Sequence, residues 1–200
     1  MAHPKHAAAD YDVLDLIRER WSPRAYDSAR PLAEDTLMRL IEAARWAPSS
    51  RNEQPWRFVV VDARKDVEAH TALVATLSKG NQAWAPNAPT MVAVCVKMLV
   101  GDTAEANRHA YYDTGHAVAL FTMQAQALGL GVRQMEGFDR PAATAVLGVP
   151  DDYEIAVVMA VGYPAAPETL ATERHRELEV TPRSRRSAAD SLFRGGWGRT

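Results

Sequence analysis

A single cysteine, Cys95, stands among the 200 residues. One thiol cannot close an intrachain disulfide, and such scarcity fits a reducing compartment. Cys95 lies within Val92-Ala93-Val94-Cys95-Val96, the setting of a small core residue rather than of a nucleophile. No apolar run reaches the roughly 18 residues of a transmembrane helix. Residues 1–10 lack the apolar core of a signal peptide, so a cytoplasmic protein without a membrane partner is expected. A formal net charge of −2 supplies no basic field for nucleic acid. Closely spaced Cys/His pairs, a Gly-rich phosphate loop and a G-x-S-x-G elbow are also missing. Asp151-Asp152 reads as a turn rather than as paired catalytic carboxylates. No metal site and no catalytic side chain is expected, and any chemistry falls to an organic cofactor.

What is present is ordinary for one globular domain over residues 1–200, at 47% hydrophobic and 24% charged residues. Residues 1–10 are expected to be a flexible N-terminus. Val13, Leu14, Leu16 and Ile17 have helical spacing, ended by Pro23. Pro31 opens a second helix with Leu37, Leu40, Ile41 and Ala44 on one stripe. Residues 58–61 and 90–98 read as buried strands. Between them Val67, His70, Leu73, Val74 and Leu77 mark a helix, with Gly80 near its C-terminal cap and His70 packed on its stripe. Residues 81–89 form a loop, and residues 101–107 a surface loop or lid. Residues 108–128 form a long helix, apolar enough all round to be buried or to make an interface. Asp139 N-caps a short helix with Pro141 in its first turn and Gly148 after it. Residues 153–161 are a third strand. Residues 164–200 are a polar, charged arm, too long for an ordinary loop, either disordered or laid on another surface such as a partner subunit.

Two stretches stand out from this framework. In residues 47–56, Pro48 cannot continue a helix and Pro55 biases Gln54 toward extended geometry. The stretch is either a helix stop with a turn and a core Trp56, or a loop that presents Ser49, Ser50 and Asn52 to a polar ligand. In the other, an extended chain would set Arg20, Ser22 and Arg24 on one face, a cradle for an anion. Arg18 and Arg20 equally suit a helix C-terminus.

Together these pieces resemble the FMN-dependent nitroreductase family. Arg20-Trp21-Ser22-Pro23-Arg24 is similar to its Arg-x-Ser-x-Arg/Lys. Pro48-Ser49-Ser50-Arg51-Asn52-Glu53-Gln54-Pro55-Trp56 fits its Pro-Ser-x-x-Asn-x-Gln-Pro-Trp and is the most specific piece. Gly80-Asn81-Gln82 leading through Ala88-Pro89, then Gly129-Leu130-Gly131 with Met135-Glu136-Gly137, then Arg183 and Arg185, follow in family order.

The resemblance implies an α+β fold, a mostly antiparallel central sheet surrounded by helices, built as an intertwined homodimer with FMN at the interface. It implies that Arg20, Arg183 and Arg185 hold the phosphate with Ser22 beside them, and that Arg24 lies near the flavin N1 and O2 edge. Pro48, Ser49, Ser50 and Asn52 would come from the other subunit. Backbone N–H groups near Met135, Glu136 and Gly137 would face N5 and O4. A ring-contacting polar side chain is expected after Gly80, with Asn81 and Asn87 as alternatives, and Trp21 stands where the family often has a basic residue or His. The implied activity is reduction of nitroaromatic, quinone or similar electron-poor small molecules by NAD(P)H, in a ping-pong sequence. Other readings are a specialised member, such as a reductive dehalogenase or a flavin-consuming enzyme, and a flavin-binding protein without turnover.

Overall fold

The computed structural model describes residues 4–199. Four antiparallel strands form its sheet: β1 (Trp56–Asp62), β2 (Thr90–Lys97), β3 (Gly131–Met135) and β4 (Tyr153–Gly162), in the order β1-β2-β4-β3. The helices are α1 (Asp15–Glu19), α2 (Glu34–Arg45), α3 (Val67–Thr76), α4 (Lys79–Gln82), α5 (Ala110–Ala127), α6 (Arg140–Leu147) and α7 (Glu173–Val180). The architecture is α+β, as the resemblance implies.

β2 is central and buried along its length up to Lys97, which is why it reads as a continuous apolar run instead of an alternating one. Alternation assigns its side chains to two cores. Met91, Ala93 and Cys95 face α3, α6 and Trp84, together with Ile155, Val158 and Ala160 of β4. Val92 and Val94 face α2 and α5, with Met159 and Val161 of β4. On that second side Phe121 of α5 stacks on Phe58 of β1 with centroids 5.7 Å apart. Truncating so buried an aromatic costs about 3–5 kcal/mol.

Several elements differ from their expected form. β3 is a fourth strand where the sequence shows mainly its flanking glycines. α2 starts at Glu34, three residues after Pro31. Gly80 lies inside α4, since α3 already ends at the extended Leu77. α5 buries one stripe, including Ala117, Phe121 and Ala125, while Tyr112 and Leu120 stay exposed. Asp139 caps α6 as expected, its Oδ1 accepting the Ala142 N–H at 3.0 Å. The C-terminal arm holds α7, and of its residues Glu179 is buried in this same chain. Residues 1–3 of the expected flexible N-terminus, and Thr200, lie outside the described residues. Lys5, by contrast, is buried, and its Nζ donates to the carbonyls of Leu178 and Thr181.

Candidate cofactor site

Residues 48–55 leave α2 and return as β1, with three of their residues in a strained backbone conformation. Arg51, Asn52 and Gln54 have φ of 52°, 58° and 47°, the left-handed region that costs a residue with a Cβ roughly 1–2 kcal/mol. Hydrogen bonds hold this shape. The Asn52 N–H donates to the Ser49 carbonyl and the Glu53 N–H to the Ser50 carbonyl, both at 3.1 Å. Ser49 Oγ accepts the Gln54 N–H at 3.1 Å, and buried Asp113 of α5 accepts the Ser50 N–H at 2.9 Å. Trp56 is in the core, while the Asn52 side chain is exposed and makes no hydrogen bond to a described residue. The stretch is a helix stop with a core tryptophan, and it leaves the Asn52 side chain exposed.

The cradle lies between α1 and the core. Arg20 caps the C-terminus of α1, its N–H donating to the Leu16 carbonyl at 3.1 Å. Its Nη1 donates to Ser22 Oγ at 3.3 Å, as expected for alternate residues of an extended chain. Next, Pro23 packs against Gly131 at the start of β3. A Cβ on Gly131 would meet Pro23 Cγ at 2.3 Å, so only glycine lets the cradle lie on the sheet here. Arg133 of β3 donates to the Ser22 carbonyl at 2.8 Å.

Arg183 and Arg185 arrive from the far end of the chain and meet Arg20 around one cavity of about 740 Å³. Its lining includes Arg18, Arg20, Arg183, Arg185 and Arg186 against a single acid, Asp10. Burial, then the guanidinium groups of Arg183 and Arg185, pull the Arg20 pKa below the ordinary arginine value. That is the signature of cations gathered without a counter-anion. The two arm arginines are not equivalent. Arg183 donates from Nε to the Lys5 carbonyl at 2.5 Å, from Nη1 to Arg20 at 2.6 Å and from Nη2 to Arg18 at 2.5 Å. Arg185 is exposed and, among the described residues, bonds only the neighbouring Ser184 carbonyl, at 2.8 Å.

Arg24 lies deeper, and burial lowers its pKa, opposed by Glu179. At the end of β3, Met135 points into the core at 2% exposure, so it offers a site only its backbone. The Glu136 side chain is exposed, 3.9 Å from Arg140. Gly137 uses its carbonyl twice, accepting from the Ser78 N–H at 2.8 Å and from Asn81 Nδ2 at 3.3 Å. Its N–H has no acceptor among the described residues. A Cβ there would meet Ser78 Oγ at 3.1 Å, so the close approach favours glycine. Of the two asparagines left open by the sequence, Asn81 is the one that reaches this segment.

Arg20 lines one cavity, whereas Asn52 and Ser50 line two others with Gln54 and with His109. Among the described residues, no three His, Cys, Asp or Glu side chains group as for a metal ion.

The family model described as "Nitroreductase family" matches residues 17–163. The chain belongs to the nitroreductase family. Within it, a solved structure described as an oxidoreductase containing FMN superposes with a TM-score of 0.89 at 32% identity, covering 100% of both chains. The oxygen-insensitive NAD(P)H nitroreductase of Salmonella typhimurium is 24% identical over 76% of this chain and 88% of its own. The 5,6-dimethylbenzimidazole synthase of Rhodospirillum rubrum is 31% identical over 67% of this chain and 74% of its own. Nitroreductase membership covers the loop and the cradle's start at Arg20, but the arm from residue 164 onward lies beyond the matched region.

Proposed function

We propose that this protein is an FMN-dependent oxidoreductase that uses NAD(P)H to reduce nitroaromatic, quinone or similar electron-poor small molecules in a ping-pong sequence. The observation that carries the reading is the meeting of Arg20 and Arg185 around one arginine-rich cavity, with Arg183 bracing its wall. An organic phosphate is the anion that such a fork of guanidinium groups suits. The solved relative that contains FMN, superposing along the whole chain, supports that choice.

FMN held here would supply the redox chemistry that links NAD(P)H to the second substrate. The chain's own residues bind and tune it. Arg20, Arg185 and Ser22 hold the phosphate. Arg24 supplies fixed positive charge at the pyrimidine edge, which favours the reduced, more negative flavin. The Gly137 N–H, without an acceptor among the described residues, would face the ring, and the Asn81 amide steadies that segment. Glu136 contributes its backbone. Pro48, Ser49, Ser50 and Asn52 complete the site from a second copy of the chain in a homodimer. Supporting this, α1 and its N-cap Leu14 expose Leu14, Leu16 and Ile17, and α5 exposes Tyr112 and Leu120, apolar groups with no cover among the described residues. We place the enzyme in the cytoplasm, in keeping with its lone, buried thiol.

A second reading, a member specialised as a synthase, is favoured by the Rhodospirillum relative. One experiment separates the readings. Purified protein reconstituted with FMN should be yellow, bleach anaerobically with NADH or NADPH, and regain its colour with a nitroaromatic or quinone, the flavin being recovered intact. Loss of flavin during turnover supports the synthase. Protein that takes up no FMN, or yellow protein that neither nicotinamide bleaches, overturns the proposed activity.

A further inference from the structure

We propose that Glu179 is a positioning residue for the flavin site, fixing the place of Arg24 and offsetting part of its charge. The proposal rests on the reading that puts Arg24 at the flavin's pyrimidine edge.

Glu179 is 1% exposed, a carboxylate taken almost wholly out of water. Such burial is costly unless the charge is met by several donors. Its donors are the cradle backbone. The Arg24 N–H reaches Oε1 at 2.9 Å and Oε2 at 3.1 Å, and the Ala25 N–H reaches Oε1 at 3.0 Å. The Arg24 guanidinium lies 4.0 Å from Oε2 through Nη1. Lys5 and Arg133 also feel this carboxylate, so cationic groups from the N-terminal segment and from β3 face it, with His175 and Tyr26 nearby.

The same arm grips the other end of the cradle with opposite polarity. Arg183, four residues on, donates to the carbonyls of Arg18 and Arg20, while Glu179 accepts N–H groups at 24 and 25. An acid thus takes the donors of the extended segment and a base takes its acceptors. Glu179 joins the arm to Arg24, so it acts on the flavin through Arg24. Two-electron, one-proton reduction adds a negative charge to the ring. A buried negative charge behind Arg24 weakens the field that favours this change.

The test is the midpoint potential of FMN bound to the purified, reconstituted protein, measured for wild type, E179Q and R24Q. E179Q should move the potential in the positive direction. The expected size is a tenfold gain in the affinity ratio of reduced to oxidised flavin, about 30 mV for a two-electron couple. R24Q should move it in the negative direction. A shift in R24Q with none in E179Q overturns the inference and leaves the site reading intact; Glu179 is then a fold residue that lowers thermal stability when changed. No shift in R24Q removes Arg24 from the flavin edge, and the inference falls with it. Should E179Q not fold, E179D draws the charge back from Arg24 by one methylene. A smaller positive shift then supports the inference, and an unchanged potential overturns it.

Discussion

Asp113, 3% exposed on α5, accepts the Ser50 N–H at 2.9 Å, so a buried carboxylate anchors the strained loop that displays Asn52. A hydrogen bond to a charged group contributes about 1.5–3 kcal/mol. Asp113→Ala should lower unfolding stability by that order, read as a reduced urea midpoint. Asp113→Asn keeps an acceptor oxygen and should recover part of the loss. Equal losses in both variants would show that charge, rather than the bond to Ser50, is what the loop requires.

The phosphate assignment predicts a selective loss. Arg20→Ala or Arg185→Ala should weaken FMN on the order of 10- to 100-fold, since a charge-assisted bond contributes about 1.5–3 kcal/mol and about 1.4 kcal/mol is tenfold. Riboflavin, which lacks phosphate, should bind each variant almost as it binds wild type. Titrating both flavins by fluorescence quenching checks this, and matched losses would sink the assignment.

Glu136 is expected to act through its main chain. Its exposed carboxylate, 3.9 Å from Arg140, has no place in proton transfer under the proposed scheme. Glu136→Gln should keep most of the steady-state rate with NAD(P)H and a quinone. A collapse of kcat with FMN still bound would assign the carboxylate a chemical role.

Sharing of each site between chains is checked by complementation. Arg20→Glu and Asn52→Trp should each abolish activity in homodimers. A heterodimer of the two variants, purified through different tags, carries both lesions in one site and neither in the other. Activity should return at the intact site. A folded but inactive heterodimer refutes the shared arrangement.

Cys95, 2% exposed, has its thiol pushed up to about 11 by burial, from an ordinary 9.0. Native protein should resist thiol reagents at pH 8 and react once when unfolded. Because the folded pKa is raised, its contribution to stability is complete below pH 9 and is lost as pH rises through about 11. Urea midpoints between pH 8 and 11 should therefore fall more steeply for wild type than for Cys95→Ala, and parallel curves would remove the thiol from the account.

Most of the sheet and both halves of the candidate site are legible in the sequence, for identifiable reasons. β2 and β4 are long β-branched runs, and Pro48 and Pro55 bracket their loop whatever surrounds it. β3 is not legible, because Arg133 and Gln134 interrupt five residues at a sheet edge. α7 hides for a related reason: Glu173-Arg174-His175-Arg176-Glu177 has no apolar stripe, and its one buried side chain is an acid. Periodicity ranks residues by hydrophobicity, so it is blind to a carboxylate buried by hydrogen bonds. The sequence also sets Arg183 and Arg185 as equals, although only geometry shows Arg183 committed to three carbonyls. Asp113 on α5 escapes notice in the same way, lying within a stripe of small and apolar neighbours.

The cradle around residues 18–25 is secured by partners 155 and 163 positions away, Glu179 for Arg24 and Arg183 for Arg20. Chains emerge from the ribosome N-terminus first, and contacts so distant in sequence are late to form. All four strands are complete by Gly162, before either clamp exists. The nascent protein can therefore assemble its sheet while residues 18–25 still lack both clamps. Under the proposed assignment, a phosphate would meet its full set of arginines only once the arm has been made.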